Sequence, residues 1–176
     1  MDWTGTVAIT LAGAAMVVAA VWYAASRVDR MHRRVENAWN SLQLQLTRRA
    51  SVALSLAHER LWDPVTSMVV AEAARAAAEA PPWGPEHSEL SAALRTAMGD
   101  RAQIEADLEV PGREPLIREL GAAWYRAILA RRFLNDAVAM TLRLRSRRLV
   151  RWLHLAGRTP LPESCDIDDA APEGLS

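Results

Sequence analysis

The feature that most constrains this chain is an apolar segment, residues 3–26, which leads directly into a charged amphipathic segment ending near Trp62. Tyr23 is the only ionisable side chain within the apolar segment. A bilayer core about 30 Å thick is crossed by roughly 20 apolar residues in a helix, each rising about 1.5 Å. The segment is therefore long enough to span a membrane.

Aromatic side chains mark both ends of this segment. Trp3 and the pair Trp22 and Tyr23 would lie about 28 Å apart along a helix, which is the separation of the two interfacial belts of a bilayer. The alternatives are a buried core helix and a signal peptide cleaved after Ala25, although a signal peptide carries positive charge before its apolar run. The sequence predicts a transmembrane anchor over residues 1–26.

The charges that flank the anchor predict its orientation. Asp2 and the α-amino group precede the apolar segment, whereas the basic residues follow it: Arg27, Arg30, Arg33 and Arg34. The positive-inside rule places the basic end in the cytoplasm. We therefore expect a single-pass protein of the cell membrane, with its N-terminus outside and the bulk of the chain in the cytoplasm.

The segment after the anchor has helical periodicity. Apolar residues recur in steps of three and four from Val28 to Leu61, so one face of this helix is expected to be buried. The opposite, polar face is predicted to carry Arg33, Arg34, Gln43, Gln45, Arg48 and Arg49. Asp63 and Pro64 supply an N-cap and a first-turn proline for a second helix, which extends to about Ala80.

Two further helices are predicted. The third starts with Ser88 as its N-cap and ends near Leu108, and the fourth runs from Pro115 to about Ala156. Four helices joined by short turns favour up-and-down order. The predicted fold class is all-α, with an N-terminal transmembrane helix followed by an up-and-down four-helix bundle over residues 27–157.

Composition narrows the functional classes. The chain has 176 residues and a formal net charge of zero, which gives no general attraction to nucleic acid. All 21 basic residues are arginine, which is typical of a high-GC bacterial coding sequence. Residues 158–176 are rich in Pro, Asp, Glu, Gly and Ser, and this composition predicts a disordered acidic tail.

The single cysteine, Cys165, lies in that predicted tail, so no disulfide framework can form within one chain. Acidic neighbours are expected to raise the pKa of its thiol, which makes it a poor nucleophile. Cys165 is therefore interpreted as an incidental thiol.

The C-terminal part of the last predicted helix carries five arginines and no acid: Arg143, Arg145, Arg147, Arg148 and Arg151. Up-and-down order would return this end toward the membrane, where each basic residue contributes about 1 kcal/mol to binding of anionic lipid headgroups. The other interpretation is that cations simply favour the C-terminal end of a helix dipole or form a solvated face.

Two motifs carry a family resemblance. An Ala-Trp pair, Ala38 and Trp39, is followed by a Gln-Leu-x-Arg-Arg run that contains Gln45, Arg48 and Arg49. The last helix contains a basic pair, an aromatic residue and Asn-x-Ala-Val, of which we single out Arg131, Arg132, Asn135, Ala137 and Val138. In order, spacing and helical context these motifs resemble the signatures of the LemA family.

The resemblance implies a bromodomain-like four-helix bundle behind a membrane anchor, in a family without an established enzymatic activity. The chain lacks the apolar-Pro-Asn-Leu motif that usually follows the Arg-Arg pair in that family, as well as its later Tyr-Asn and its Phe-rich C-terminal segment. The chain thus resembles a divergent member.

Asn135 falls on the predicted packing stripe of the last helix. A polar residue on a packing seam can fix register and partner choice. Asn37, beside the stripe of the first helix, is the candidate partner, and a ligand site at this pair is the alternative.

No constellation for chemistry is recognised. The histidines, His32, His58, His87 and His154, form no pair at metal-binding spacing, and no Gly-rich phosphate loop is found. We expect no catalytic residue, metal, cofactor, nucleic acid or small-molecule substrate.

The leading hypothesis is a membrane-anchored scaffold or adaptor for a protein partner or for itself. The alternative is a membrane-surface module that binds anionic headgroups through the basic end of the last helix.

Overall fold

The computed structural model describes residues 3–59, 61–146, 160–172 and 175. Over these ranges the chain forms five helices and no strand, which confirms the all-α class. The helices are α1 (Trp3–His58), α2 (Pro64–Glu79), α3 (Glu86–Met98), α4 (Arg101–Glu109) and α5 (Glu114–Arg145).

The predicted anchor and the first amphipathic helix form one element, α1, of 56 residues. Among the described helices, α1 alone is long and apolar enough to cross a membrane, and its most apolar window of 18 residues is 0% buried. Farther along the same helix the predicted apolar stripe is confirmed, since Leu42, Leu46, Ala50 and Ala53 are all fully buried.

Helix α2 begins where the sequence predicts. The Asp63 Oδ1 accepts hydrogen bonds from the backbone N–H groups of Val65 (3.0 Å) and Thr66 (3.2 Å), and Pro64 occupies the first turn. These bonds satisfy two of the amide groups that a helix start leaves without partners. The helix ends at Glu79, with Ala80 as its C-cap.

The predicted third helix is in fact two helices. Gly99 ends α3 with a φ of 70°, a left-handed conformation that glycine adopts without strain. Asp100 then caps α4, because its Oδ1 accepts from the backbone N–H of Gln103 at 3.0 Å. The predicted N-cap, Ser88, lies inside α3, which starts at Glu86.

Helix α5 starts at Glu114, one residue before the predicted start, and is described to Arg145. Its predicted continuation to Ala156 lies outside the described residues, since 147–159 are not part of them.

The chain divides into two compact units. The first unit comprises Met1–Glu36 and Asp136–Glu163, and the second comprises Asn37–Asn135 and Ser164–Ser176. Helices α1 and α5 therefore each contribute residues to both units.

The main hydrophobic core lies in the second unit and receives side chains from all five helices. Fully buried members include Leu46 of α1, Val70 of α2, Leu94 of α3, Ile104 of α4 and Leu120 of α5. Much of the α2 contribution is alanine, which lets helix axes approach closely because the side chain is a single methyl group.

Part of the predicted disordered tail belongs to this core. Cys165 and Ile167 are 1% and 6% exposed, and Ala171 and Leu175 pack against the core cluster. Gly121 permits the backbone of Leu175 to lie close to α5, because a Cβ at position 121 would lie 3.0 Å from the Leu175 carbonyl oxygen. Residues 164–172, called here the C-terminal segment, are therefore packed rather than disordered.

Candidate functional site

In the first unit, helices α1 and α5 line a cleft of about 350 Å³. The α1 side is formed by Arg27, Met31 and Arg34, which are four and three residues apart and so share one face of a helix. The α5 side is formed by Met140, Arg143 and Leu144 in the same kind of spacing. We call this the arginine cleft.

The arginine cleft combines positive charge with apolar walls. Three of its six lining residues are arginine, the others are two methionines and a leucine, and none is acidic. Nearby, Arg33 is neutralised by Asp29 at 2.6 Å. Within the described part of the chain, no carboxylate lies within 4.0 Å of a guanidinium nitrogen of Arg27, Arg34 or Arg143. The cleft thus presents three guanidinium groups that no described acid neutralises.

A second polar cluster, in the second unit, attaches the C-terminal segment to the helices. The side-chain amide of Asn135 donates from Nδ2 to the Cys165 carbonyl (3.1 Å) and accepts at Oδ1 from the Cys165 N–H (2.9 Å). The predicted partner Asn37 is exposed. The Asn37 prediction is therefore wrong, because Asn135 pairs with an extended backbone that arrives from residues far along the chain.

Asp169 attaches the segment to α5 through three hydrogen bonds. Its carboxylate accepts two hydrogen bonds from Arg131, from Nε at 2.6 Å and from Nη2 at 2.9 Å, and its carbonyl accepts one from Trp124 Nε1 at 2.8 Å. Hydrogen bonding to Asp169 raises the pKa of Arg131. Such a two-point pair fixes orientation as well as distance.

Asp168 attaches the segment to α3. The Arg95 guanidinium donates to the Asp168 carboxylate and, at 2.9 Å, to the carbonyl of Ala170, while the Asp168 N–H donates to Ser88 Oγ at 3.0 Å. The hydrogen bond from Arg95 is the main cause that lowers the pKa of Asp168. Asp168 and Asp169, two of the five acids that suggested disorder, thus have basic partners on α3 and α5.

Cys165 is covered rather than exposed. Its thiol donates to the Pro82 carbonyl at 3.3 Å. The pKa of the thiol is raised, as predicted, but burial is the largest cause, and Arg131 lowers the pKa while Asp166 and Asp169 raise it.

Arg49 occupies the interior of the second unit. The sequence placed it on the polar face of the first helix, which is wrong, since it is 0% exposed. Nη1 donates to Ser91 Oγ (3.0 Å), Nη2 donates to the His87 carbonyl (2.8 Å), and the guanidinium carbon lies 5.2 Å from the ring centroid of Trp124. Burial lowers the Arg49 pKa to about 10, so the side chain stays charged at neutral pH.

His87 is buried beside Arg49. Its Nε2 lies 3.0 Å from the Pro81 carbonyl, and because a carbonyl only accepts, Nε2 carries the proton. Nδ1 has no hydrogen-bond partner among the described residues. Burial is the largest cause that lowers the His87 pKa, followed by the charge of Arg49.

The remaining predicted residues lie apart from these clusters. Trp3, Trp22 and Tyr23 are exposed on α1. Trp39 makes an edge-to-face contact with Trp83, with ring centroids 5.7 Å apart. The other family-motif residues are scattered: Arg48 and Arg132 are exposed, Ala38 and Gln45 are half-buried, and Ala137 and Val138 are buried.

The predicted basic cluster at the end of the last helix is described only in part. Arg143 lines the arginine cleft, and Arg145 donates to the Pro160 carbonyl at 2.9 Å. Arg147, Arg148 and Arg151 lie outside the described residues.

Sequence reasoning overlooked Arg27 and Arg34 as partners of Arg143, and it overlooked Asp168, Asp169 and His87. The seven-residue spacing of Arg27 and Arg34 was a usable signal for a shared helix face. No sequence signal joins either of them to Arg143.

Over residues 3–59, 61–146, 160–172 and 175, no group of three or more His, Cys, Asp or Glu side chains is placed to hold a metal ion. Comparison with known proteins adds no assignment, since no family model, curated protein or solved structure matches the chain.

Proposed function

We propose that this chain is a membrane-anchored helical scaffold or adaptor without catalytic activity, and a divergent relative of the LemA family with the four-helix bundle that such a relationship implies. The observation that carries the proposal is the exposure of the apolar half of α1. Its most apolar window is 0% buried, whereas Leu42 and Leu46 of the same helix are 0% exposed. The core helix of a globular domain would bury that window, so its exposure supports the proposal that this part of α1 lies in a bilayer.

The proposed orientation places the basic flank of α1 in the cytoplasm and the N-terminus outside. Arg27 directly follows the apolar segment, and Arg30 and Arg34 follow within two helical turns. The chain would then be a single-pass protein of the cell membrane, with α2, α3, α4 and α5 in the cytoplasm.

A surface of α2 supports the scaffold role. Val65, Met68 and Val69 share one face of this helix and are 66%, 68% and 53% exposed. Adjacent exposed apolar side chains are typical of protein contact surfaces. We propose that this face contacts a protein partner or a second copy of the chain, with no nucleic acid or small-molecule substrate.

Topology is tested by fusing a reporter after Ser176, one version active only in the cytoplasm and another active only outside. Cytoplasmic activity is expected because the arginines that follow the apolar segment keep that side of the anchor, and the chain after it, in the cytoplasm. Activity of the outside reporter alone would contradict the orientation and would direct attention to cleavage after Ala25.

The contact surface is tested by placing a photo-crosslinking amino acid at Met68 in the full chain in cells. Illumination is expected to produce one heavier adduct, at twice the chain mass for self-association or at another discrete mass for a partner. The matched control places the same amino acid at Ala106, which is also exposed on a helix. Equal adducts at both positions, or none at Met68, would refute α2 as the contact surface.

A second candidate function is favoured by the arginine cleft. A site lined by three arginines and no acid suits an anion, so binding of anionic headgroups at the membrane surface is the alternative role.

A further inference from the structure

We propose that the arginine cleft is a binding site for a phosphate group, with Arg27, Arg34 and Arg143 as its ligands. This site differs from a basic helix end, because two of its three arginines come from α1. The first reason is charge. Four exposed arginines elsewhere each pair with an acid one turn away on their own helix: Arg33, Arg75, Arg101 and Arg118. The three cleft arginines have no such pair among the described residues, which is also true of the exposed Arg30, Arg48, Arg126 and Arg132, but the three cleft arginines line one space together.

The second reason is donor geometry. A guanidinium presents several N–H donors in a planar fork, and phosphate oxygens accept such forks at two points. Arg27 and Arg34 lie seven residues apart on α1, which is two helical turns, and Arg143 enters from α5. Groups on two helices can therefore approach one anion from different sides, which a single helix face cannot do.

The third reason is the lining between the charges. Met31, Met140 and Leu144 supply apolar walls, and the volume of about 350 Å³ exceeds what a bare ion fills. An amphiphilic phosphate, with an apolar stem beside its charged group, matches both kinds of lining. A phosphomonoester headgroup such as that of phosphatidic acid has this chemistry, and a soluble phosphate shares its charged part.

If the chain is anchored in a membrane, a lipid headgroup is the favoured source of the phosphate. In this respect alone the inference rests on the proposed function. Arg27 is the first residue after the apolar segment, so an anchored α1 would hold the cleft at headgroup depth. The phosphate site itself does not require the anchor to span.

The experiment uses the full chain in a non-ionic detergent and titrates it calorimetrically with three probes at fixed salt. The probes are dioctanoyl phosphatidic acid, dioctanoyl phosphatidylcholine and inorganic phosphate. The test variant is Arg34→Gln with Arg143→Gln. The matched control is Arg30→Gln with Arg132→Gln, which removes the same charge from the same two helices at exposed positions that do not line the cleft.

Phosphatidic acid is expected to bind and phosphatidylcholine is not. The cleft variant should bind phosphatidic acid about twenty-five-fold more weakly than the control, at about fivefold for each guanidinium–phosphate hydrogen bond that is lost. Binding of phosphatidic acid without binding of inorganic phosphate supports a lipid source. Similar affinity for both, with the same dependence on the cleft arginines, supports a soluble phosphate.

Two results would overturn the proposal. One is the absence of phosphate-dependent binding by the unaltered chain, and the other is equal weakening in the cleft variant and the control. The topology fusions on the unaltered chain report separately on the anchor, so a failed site and a failed anchor remain distinguishable.

Discussion

Arg49 shows how a single charge can be accommodated in an apolar core. Burying an unpaired charge costs several kcal/mol, and here two hydrogen bonds and the face of Trp124 offset that cost. The carboxylates of Asp168 and Asp169 favour the charged form as well. Arg49 of α1 thus contacts both α3 and α5, and a lysine could not make the same set of contacts because it lacks the planar fork.

His87 predicts a pH dependence of stability. Its pKa is lowered from the ordinary value of 6.5, so below that pH the unfolded chain binds a proton that the folded chain does not. Stability from this residue is therefore fully present above about pH 6.5 and decreases as the pH falls toward the folded pKa. The structural reason is that a proton on Nδ1 would be buried without an acceptor, beside the charge of Arg49.

The measurement is thermal unfolding of the full chain in detergent between about pH 7.5 and about pH 5. A His87→Gln variant keeps a donor for the Pro81 carbonyl but does not titrate, so its melting temperature should decrease less over this interval than that of the unaltered chain. Parallel curves for the two proteins would contradict the prediction.

Among the elements, the C-terminal segment differs most from its sequence-based expectation. It has no helix or strand of its own, so its backbone groups bond to side chains of the helices, as between Cys165 and Asn135. Its ion pair with Arg131 is largely shielded, with side-chain exposures of 21% for Arg131 and 12% for Asp169. Shielded pairs with two-point hydrogen bonding stabilise more than exposed ones.

The buried Cys165 gives a direct measure of this attachment, because it is the only thiol in the chain. Asp169→Asn removes the charge that Arg131 binds, and we expect it to weaken docking by about 1.5 kcal/mol. The Cys165 thiol reacts only after the C-terminal segment has transiently detached from the helices. Alkylation of Cys165 in the full chain should therefore become about tenfold faster.

The matched control is Asp166→Asn, which removes an equal charge from an exposed residue of the same segment. Both acids raise the Cys165 pKa, so a change in thiol reactivity alone would affect the two variants alike. Similar labelling rates in the two variants would show that the Arg131 pair does not hold the segment.

At the scale of the whole molecule, one helix joins two environments. The apolar part of α1 is exposed, and the following part is buried in a core that all five helices share. If α1 is anchored as proposed, a truncated chain would separate the anchor from the part of the same helix that belongs to the second unit. The topology and headgroup experiments are therefore best made on the full chain.

The all-α class, the start of α2 and the apolar stripe of α1 followed from the sequence because they depend on neighbours within a few residues. Helical periodicity repeats every three to four residues, and the Asp63 cap acts over two and three residues. The break at Gly99 and Asp100 was equally local and could have been predicted from the same rules.

Only the tertiary structure decided the rest, because it depends on residues far apart in sequence. Arg49 is separated from Ser91 by 42 positions, Asn135 from Cys165 by 30 and Trp124 from Asp169 by 45. A polar residue on a helix face has the same sequence pattern whether its side chain makes hydrogen bonds to water or to a buried partner. The sequence by itself therefore determined which segments are helical and which is apolar enough to cross a membrane, while the fold decided which charges are buried, paired or grouped around a cleft.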